Sequence, residues 1–138
     1  MKILVLGAGA VGGYFGGRMA EVGMDVTFLV RDKRKQKLEK TGLIIKSPKG
    51  DFSISPKLVT VDKVDSIFDV IVLTNKAYDL DEILQSAFPV KDGSTIIPLL
   101  NGYAHMEKLR SKFPNARLFG GIAHIFSTLN EEGEIHHF

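Results

Sequence analysis

Six residues near the amino terminus, Gly7-Ala8-Gly9-Ala10-Val11-Gly12, have the G-x-G-x-x-G spacing that lets a backbone wrap a pyrophosphate. Each glycine has its own task. Gly7 permits a tight turn off a strand, Gly9 lets phosphates reach the backbone, and Gly12 lets a helix pack closely on the strand. A helix starting here adds unpaired N–H groups and a partial positive charge facing the phosphates. The motif is weak alone and gains weight from its surroundings. Residues 3–6 are a wholly apolar run suited to a parallel strand buried on both faces. Val11, Phe15, Met19 and Val22 then recur at helical spacing, Gly23 stands where a helix wants a left-handed residue, and residues 25–30 read as a second buried strand. Strand, glycine turn, helix and strand within about 30 residues form a βαβ unit with a right-handed crossover. Gly12, Gly13, Gly16 and Gly17 together cost such a helix about 4 kcal/mol relative to alanine. That cost predicts close approach of something, and a dinucleotide is the expected visitor.

The second strand ends in Val30-Arg31-Asp32-Lys33-Arg34, about 20 residues beyond Gly12, where an NAD-preferring protein places an acid on the ribose hydroxyls. Here Arg31 comes first. A guanidinium at that strand end binds a 2′-phosphate bidentately, and Lys33 or Arg34 adds charge, so NADP(H) is expected ahead of NAD. Asp32 has two readings, the cap of the next helix or the ribose acid of an NAD site. Two later strands end in Thr74-Asn75-Lys76 and Asn101-Gly102, at the edge where open α/β sheets bind ligands. Lys76 suits a phosphate or a substrate carboxylate, and the Asn101 amide donates and accepts at once. Taken singly, the plainer readings prevail: a solvated lysine, and an asparagine opening a turn. His124, His136 and His137 lack carboxylates at ligand spacing, and His105 sits early in a presumed helix, so no metal site is expected.

The elements that must hold these residues continue the α/β alternation. A polar helix is expected over 32–41, stopped by Gly42, then a strand at 43–46 and a hairpin turn at 48–51 into a strand at 52–54. Residues 69–73 and 94–100 read as further strands, and 78–88 and 103–112 as helices. A final antiparallel strand pair is expected from 118–127 and 134–138 around a turn at 130–133. The fold class is therefore α/β: a Rossmann-type, doubly wound, mainly parallel sheet with helices on both faces.

At 138 residues the chain is one domain's worth, residues 1–138. A net charge of +2 with scattered basic residues argues against a nucleic-acid partner. The chain has no cysteine, which removes thiolate nucleophiles and disulfides, and no apolar run approaches the ~18 residues of a membrane span. The expectation is a soluble, cytoplasmic protein that takes a small-molecule substrate. Oligomeric state is not legible.

Together, Gly7 to Gly12, Arg31, Asn75-Lys76-Ala77-Tyr78, Asn101-Gly102 and Gly133-Glu134-Ile135-His136-His137 form a recognisable set. Over essentially its whole length, the chain resembles the amino-terminal, cofactor-binding half of the ketopantoate reductases. The resemblance implies that Arg31 binds the 2′-phosphate of NADPH, that Lys76 supports cofactor or substrate, and that Asn101 contacts both. Ser127 falls at a small position, usually alanine, that touches the cofactor, and Phe126 beside it is bulkier than the family pattern. The implied reaction is hydride transfer from NADPH to the ketone of 2-dehydropantoate, giving (R)-pantoate for pantothenate and coenzyme A. The family's general-acid lysine belongs to a second, helical domain outside this truncated sequence. The chain is therefore expected to bind NADPH, to hold no catalytic residue of its own, and to turn over little or no substrate. The alternatives are a noncatalytic NAD(P)-sensing domain, which typically carries an acid where Arg31 stands, or a reductase of another 2-keto acid.

Overall fold

A computed structural model describes residues 1–65, 67–74, 77–85, 90–100 and 104–138. The first strand, β1 (Lys2–Leu6), leads through the glycine turn into α1 (Gly12–Glu21), β2 (Asp25–Leu29) and α2 (Asp32–Thr41). A small excursion follows: β3 (Leu43–Lys46), β4 (Phe52–Ile54), β5 (Lys57–Val59) and a single 3-10 turn at Val61–Lys63. The α/β alternation then resumes with β6 (Val70–Leu73), α3 (Ala77–Gln85), β7 (Thr95–Pro98), α4 (Ala104–Lys112) and β8 (Arg117–Leu118), before the closing hairpin of β9 (Ser127–Leu129) and β10 (Ile135–His137).

Six strands in the order β5-β2-β1-β6-β7-β8 form one sheet, and every pairing in it is parallel. The order reverses at β1, where β2 and β6 flank the first strand on opposite sides, so a crevice opens beyond the carboxyl ends of these strands. Side-chain alternation along β1 shows how both faces are filled. Ile3 and Val5 join a core with Tyr14 of α1, Phe28, Leu38, Leu43, Ile45 and Ile135. Leu4 and Leu6 join the opposite core with Ile71, Leu80 of α3, Ile96 and Leu109 of α4.

A second sheet, ordered β4-β3-β10-β9, covers the α1 side. It consists of two antiparallel hairpins, β3 with β4 and β9 with β10, joined where β10 runs parallel to β3. The closing antiparallel pair was legible in the sequence; its parallel docking onto the early hairpin was not. One expected strand, 118–127, divides in two. Arg117–Leu118 ends the large sheet, Ser127–Leu129 enters the small one, and residues 119–126 between them are in neither.

The glycines of α1 have a packing explanation: the close approach expected of Gly13, Gly16 and Gly17 is by side chains of the two sheets. The buried residues of this helix are Gly12, Gly13, Tyr14, Gly16 and Gly17. A Cβ at Gly13 would overlap Ile135, one at Gly16 the ring of Phe28, and one at Gly17 Ile45. Phe28 belongs to the large sheet, and Ile45 and Ile135 to the small one, so α1 is pressed between two sheets and its glycine face is what lets both come close. Val22, expected inward, is 77% exposed, and Phe15 and Met19 are half-buried at the margin of the core. Gly23 does end the helix as expected: at φ +91° its N–H bonds the Ala20 carbonyl and the Met24 N–H bonds that of Met19, a Schellman closure.

Replacing Gly16 by alanine tests this packing. Helix propensity alone favours the change by about 1 kcal/mol. Crowding against the fully buried Phe28 is expected to reverse the sign, for a net loss of about 1–3 kcal/mol seen as a lower urea midpoint. A midpoint that stays or rises would show that the ring yields.

Candidate functional site

The strands that carry the predicted site residues end at one edge. Leu6 is in register with Leu29 on one side and Leu73 on the other, and Leu73 is in register with Pro98. The glycine turn leaves β1 here: Gly7 adopts φ +103° and donates its N–H to the Leu29 carbonyl at 2.9 Å. A Cβ at Gly12 would run into the carbonyl oxygen of Gly7 and the hydroxyl of Thr74, whereas a Cβ at Gly9 would meet nothing within 4 Å. Gly7 thus serves the turn, Gly12 serves the closeness of helix and strand, and Gly9 lies open. The helix beyond begins after Val11 without a side-chain cap, and the Gly13 N–H bonds back to the Gly9 carbonyl at 2.9 Å.

A cleft of about 650 Å³ lies over this edge. Gly7, Ala8 and Gly9 form one wall, and residues 29–34 form another. Thr60, Val61 and Asp62 at the start of the 3-10 turn, Glu82 of α3 and Leu129 of β9 complete it. The volume is that of a small-molecule or cofactor site. Thr60 is buried, and hydrogen bonds from the Thr60 hydroxyl and from the backbone N–H of Asp62 hold the Asp62 carboxyl below the usual carboxylate range.

Arg31 stands in the cleft at the end of β2, and its Nη2 pairs with Glu82 Oε2 at 2.9 Å. These side chains are 71% and 69% exposed, so the pair is worth no more than about 1 kcal/mol and opens readily to a competing anion. Asp32 does not cap α2. The N-cap is Arg31 itself, without a side-chain bond, and Asp32 is the first helical residue, where its charge complements the helix dipole. Arg34, one turn before the buried Leu38, reaches back to the glycine turn and donates from Nη2 to the Ala8 carbonyl at 2.7 Å. Burial lowers its pKa, though a guanidinium stays charged under such conditions. Ser127 Oγ donates to the Ala10 carbonyl at 2.8 Å, which brings the start of β9 onto the same turn.

Lys76 and Asn101 lie outside the described residues. The strands preceding them, β6 and β7, end at this edge, and the Thr74 hydroxyl ties the end of β6 to the Leu6 carbonyl at 2.7 Å. Two of the histidines, His136 and His137, have local partners. His137 Nδ1 bonds Ser47 Oγ and its ring lies tilted, 4.5 Å from that of Tyr14; His136 meets Asn130; burial lowers the pKa of His105. Among the described residues no three His, Asp or Glu side chains gather to hold a metal, and no helix is long and apolar enough to cross a membrane. Glu82, Thr60, Asp62 and Leu129 carried no linear signal, because each comes to the cleft from an element distant in sequence.

Fold and cleft define a Rossmann-like α/β domain with a ligand-sized crevice at its strand edge. The sequence matches the family model for ketopantoate reductase PanE/ApbA over residues 3–138, and the chain belongs to that family. It is 49% identical over 138 residues to the uncharacterized oxidoreductase YkpB of Bacillus subtilis, covering 99% of this chain and 45% of that protein. It is 35% identical over 135 residues to a 2-dehydropantoate 2-reductase of Pyrococcus horikoshii, covering 98% and 44%. Among solved structures, a 2-dehydropantoate 2-reductase of Geobacter metallireducens superposes with a TM-score of 0.87 at 29% identity, over 99% of this chain and 46% of that one. A D-mandelate dehydrogenase with NADH and anilino(oxo)acetate superposes with a TM-score of 0.89 at 26% identity, over 100% and 46%. The chain thus spans less than half the length of these relatives.

Two glycine substitutions separate the roles read from the turn. Gly9→Ala is expected to leave stability unchanged or raise it by up to about 1 kcal/mol, since its backbone is not left-handed and its surroundings are open. Gly12→Ala, facing the Gly7 carbonyl, is expected to lose about 1–3 kcal/mol. Urea unfolding of both distinguishes the two cases, and equal losses would contradict the assignment.

Proposed function

We propose that this chain binds NADPH and presents it for reduction of the ketone of 2-dehydropantoate to (R)-pantoate, a cytoplasmic step toward pantothenate and coenzyme A. The observation that carries the reading is one cleft holding both an open Gly9 before an uncapped helix and Arg31 at the end of the adjacent strand. The first feature suits a pyrophosphate and the second a 2′-phosphate. Family membership supports an oxidoreductase over a noncatalytic sensor.

In this reading the turn Gly7, Ala8, Gly9, Ala10, Val11 and Gly12 holds the pyrophosphate, with Gly7 shaping the turn while its N–H stays on the Leu29 carbonyl and later backbone N–H groups facing the phosphates. Arg31 exchanges Glu82 for the 2′-phosphate, at little cost because the pair is exposed. Ser127 keeps the turn in place through Ala10. Lys76 and Asn101, which follow strands ending at this edge, engage the nicotinamide side and the keto-acid. When bound, the reduced nicotinamide supplies a hydride to the ketone carbon while the carbonyl oxygen takes up a proton. This chain's part is to hold and orient the donor. Reduction of another 2-keto acid uses the same half of the chemistry, and the D-mandelate dehydrogenase neighbour with its NADH makes that the second reading.

Titration with NADPH and NADH, followed by fluorescence or calorimetry, is expected to show at least tenfold preference for NADPH. Arg31→Ala is expected to weaken NADPH by about 10- to 100-fold, the loss of a charge-assisted contact, and to change NADH by less than about threefold. Glu82→Gln, which removes an acid paired with Arg31, is expected to tighten NADPH a few-fold. Equal or tighter binding of NADH by the unaltered protein would overturn the assignment to NADP.

A further inference from the structure

The glycine turn is gripped on both sides of its open residue. On one side, Arg34 Nη2 and Nε donate to the Ala8 carbonyl at 2.7 and 3.2 Å. On the other, Ser127 Oγ donates to the Ala10 carbonyl at 2.8 Å. Gly9 sits between, with nothing near its Cβ direction. Arg34 also donates from Nη1 to the Gly133 carbonyl at 3.2 Å, in the turn of the hairpin whose first strand opens with Ser127. Both grips therefore engage the same β9–β10 hairpin, one through Arg34 and one directly.

Peptide geometry turns these grips into a constraint on donors. In a trans peptide the C=O and the following N–H point in opposite directions. Fixing the Ala8 carbonyl fixes the Gly9 N–H, and fixing the Ala10 carbonyl fixes the Val11 N–H. Both N–H groups belong to the turn assigned to the pyrophosphate. Arg34 suits the task because its planar fork reaches two carbonyls at once, which a lysine ammonium on a single flexible stem does not reproduce. Its charge is not spent on an acid: the partners recorded for Arg34 among the described residues are these two backbone carbonyls, and the side chain is half-buried. The Gly133 contact is also close, since a Cβ there would lie 2.9 Å from Arg34 Nη1.

We propose that Arg34 is a positioning residue for the dinucleotide turn, which sets the Gly9 N–H for the pyrophosphate and couples the site to the β9–β10 hairpin. This rests on the dinucleotide reading above. Because the pyrophosphate is common to NADPH and NADH, the role of Arg34 is blind to the 2′-phosphate, in contrast to that of Arg31.

Arg34→Lys, which keeps the charge but loses the fork, and Arg34→Gln, which loses both, test it in the 138-residue protein. Both are expected to weaken NADPH and NADH by about tenfold and by the same factor, leaving the ratio of the two affinities unchanged. In the same samples without ligand, amide hydrogen exchange at residues 8–12 is expected to accelerate several-fold while the urea midpoint of Arg34→Lys stays near that of the parent. Wild-type affinity in Arg34→Lys would reduce the role to charge alone and overturn the proposal. So would a changed NADPH-to-NADH ratio, which assigns Arg34 to the 2′-phosphate, or unaltered exchange in the turn. Failure of the unaltered protein to bind either dinucleotide would instead sink the functional reading, and the exchange measurement still decides whether Arg34 holds the turn.

Discussion

The position of α1 governs the rest of this molecule. The helix lies between two sheets, and its glycine face lets the Phe28 ring approach from one and Ile45 and Ile135 from the other. Larger side chains would push the sheets apart, and the helix start would leave the end of β1. The backbone contact of Gly12 with Gly7 acts at that junction. One close approach therefore fixes the core, the tilt of the helix and the location of its uncapped N-terminus over the strand edge. The conformational cost of so many helical glycines is offset by tight packing on both sides.

The small second sheet has a part in the site as well as in the core. Its closing hairpin holds the glycine turn through Ser127 and accepts a hydrogen bond from Arg34, and Leu129 lines the cleft. Its docking on β3, by parallel pairing of β10, is what brings residues more than a hundred positions away onto the first turn of the chain. Residues 127–133 thus lie against the first glycine turn, at the cleft.

Charge in the cleft is balanced rather than uniformly basic. Among the described residues Arg31, Lys33 and Arg34 face Asp32, Asp62 and Glu82 around its lining. A long-range field does little to draw an anion under such balance, so selectivity falls to local geometry. Arg34 is engaged by backbone carbonyls, hydrogen bonds hold the Asp62 carboxyl below its usual range, and Arg31 pairs with the exposed Glu82.

Much of this was legible in the chain itself. Apolar runs, turn glycines and their order specified the βαβ unit, the parallel sheet, the stop at Gly23 and the closing hairpin, because these follow from local periodicity and backbone freedom. Membership of the ketopantoate reductases was legible from the same residues together with Arg31, Lys76 and Asn101. The burial of the α1 glycines beneath two sheets, with Val22 exposed, was not, since helical spacing reports which residues share a face and not what faces them. Nor was the division of 118–127 between sheets, the pairing of Arg31 with Glu82, or the reach of Arg34 to Ala8 and Gly133. Those contacts join segments 26 to 99 residues apart. Only the packed tertiary structure sets such distances, because sequence periodicity acts over a few turns of helix while a hydrogen bond acts over about 3 Å.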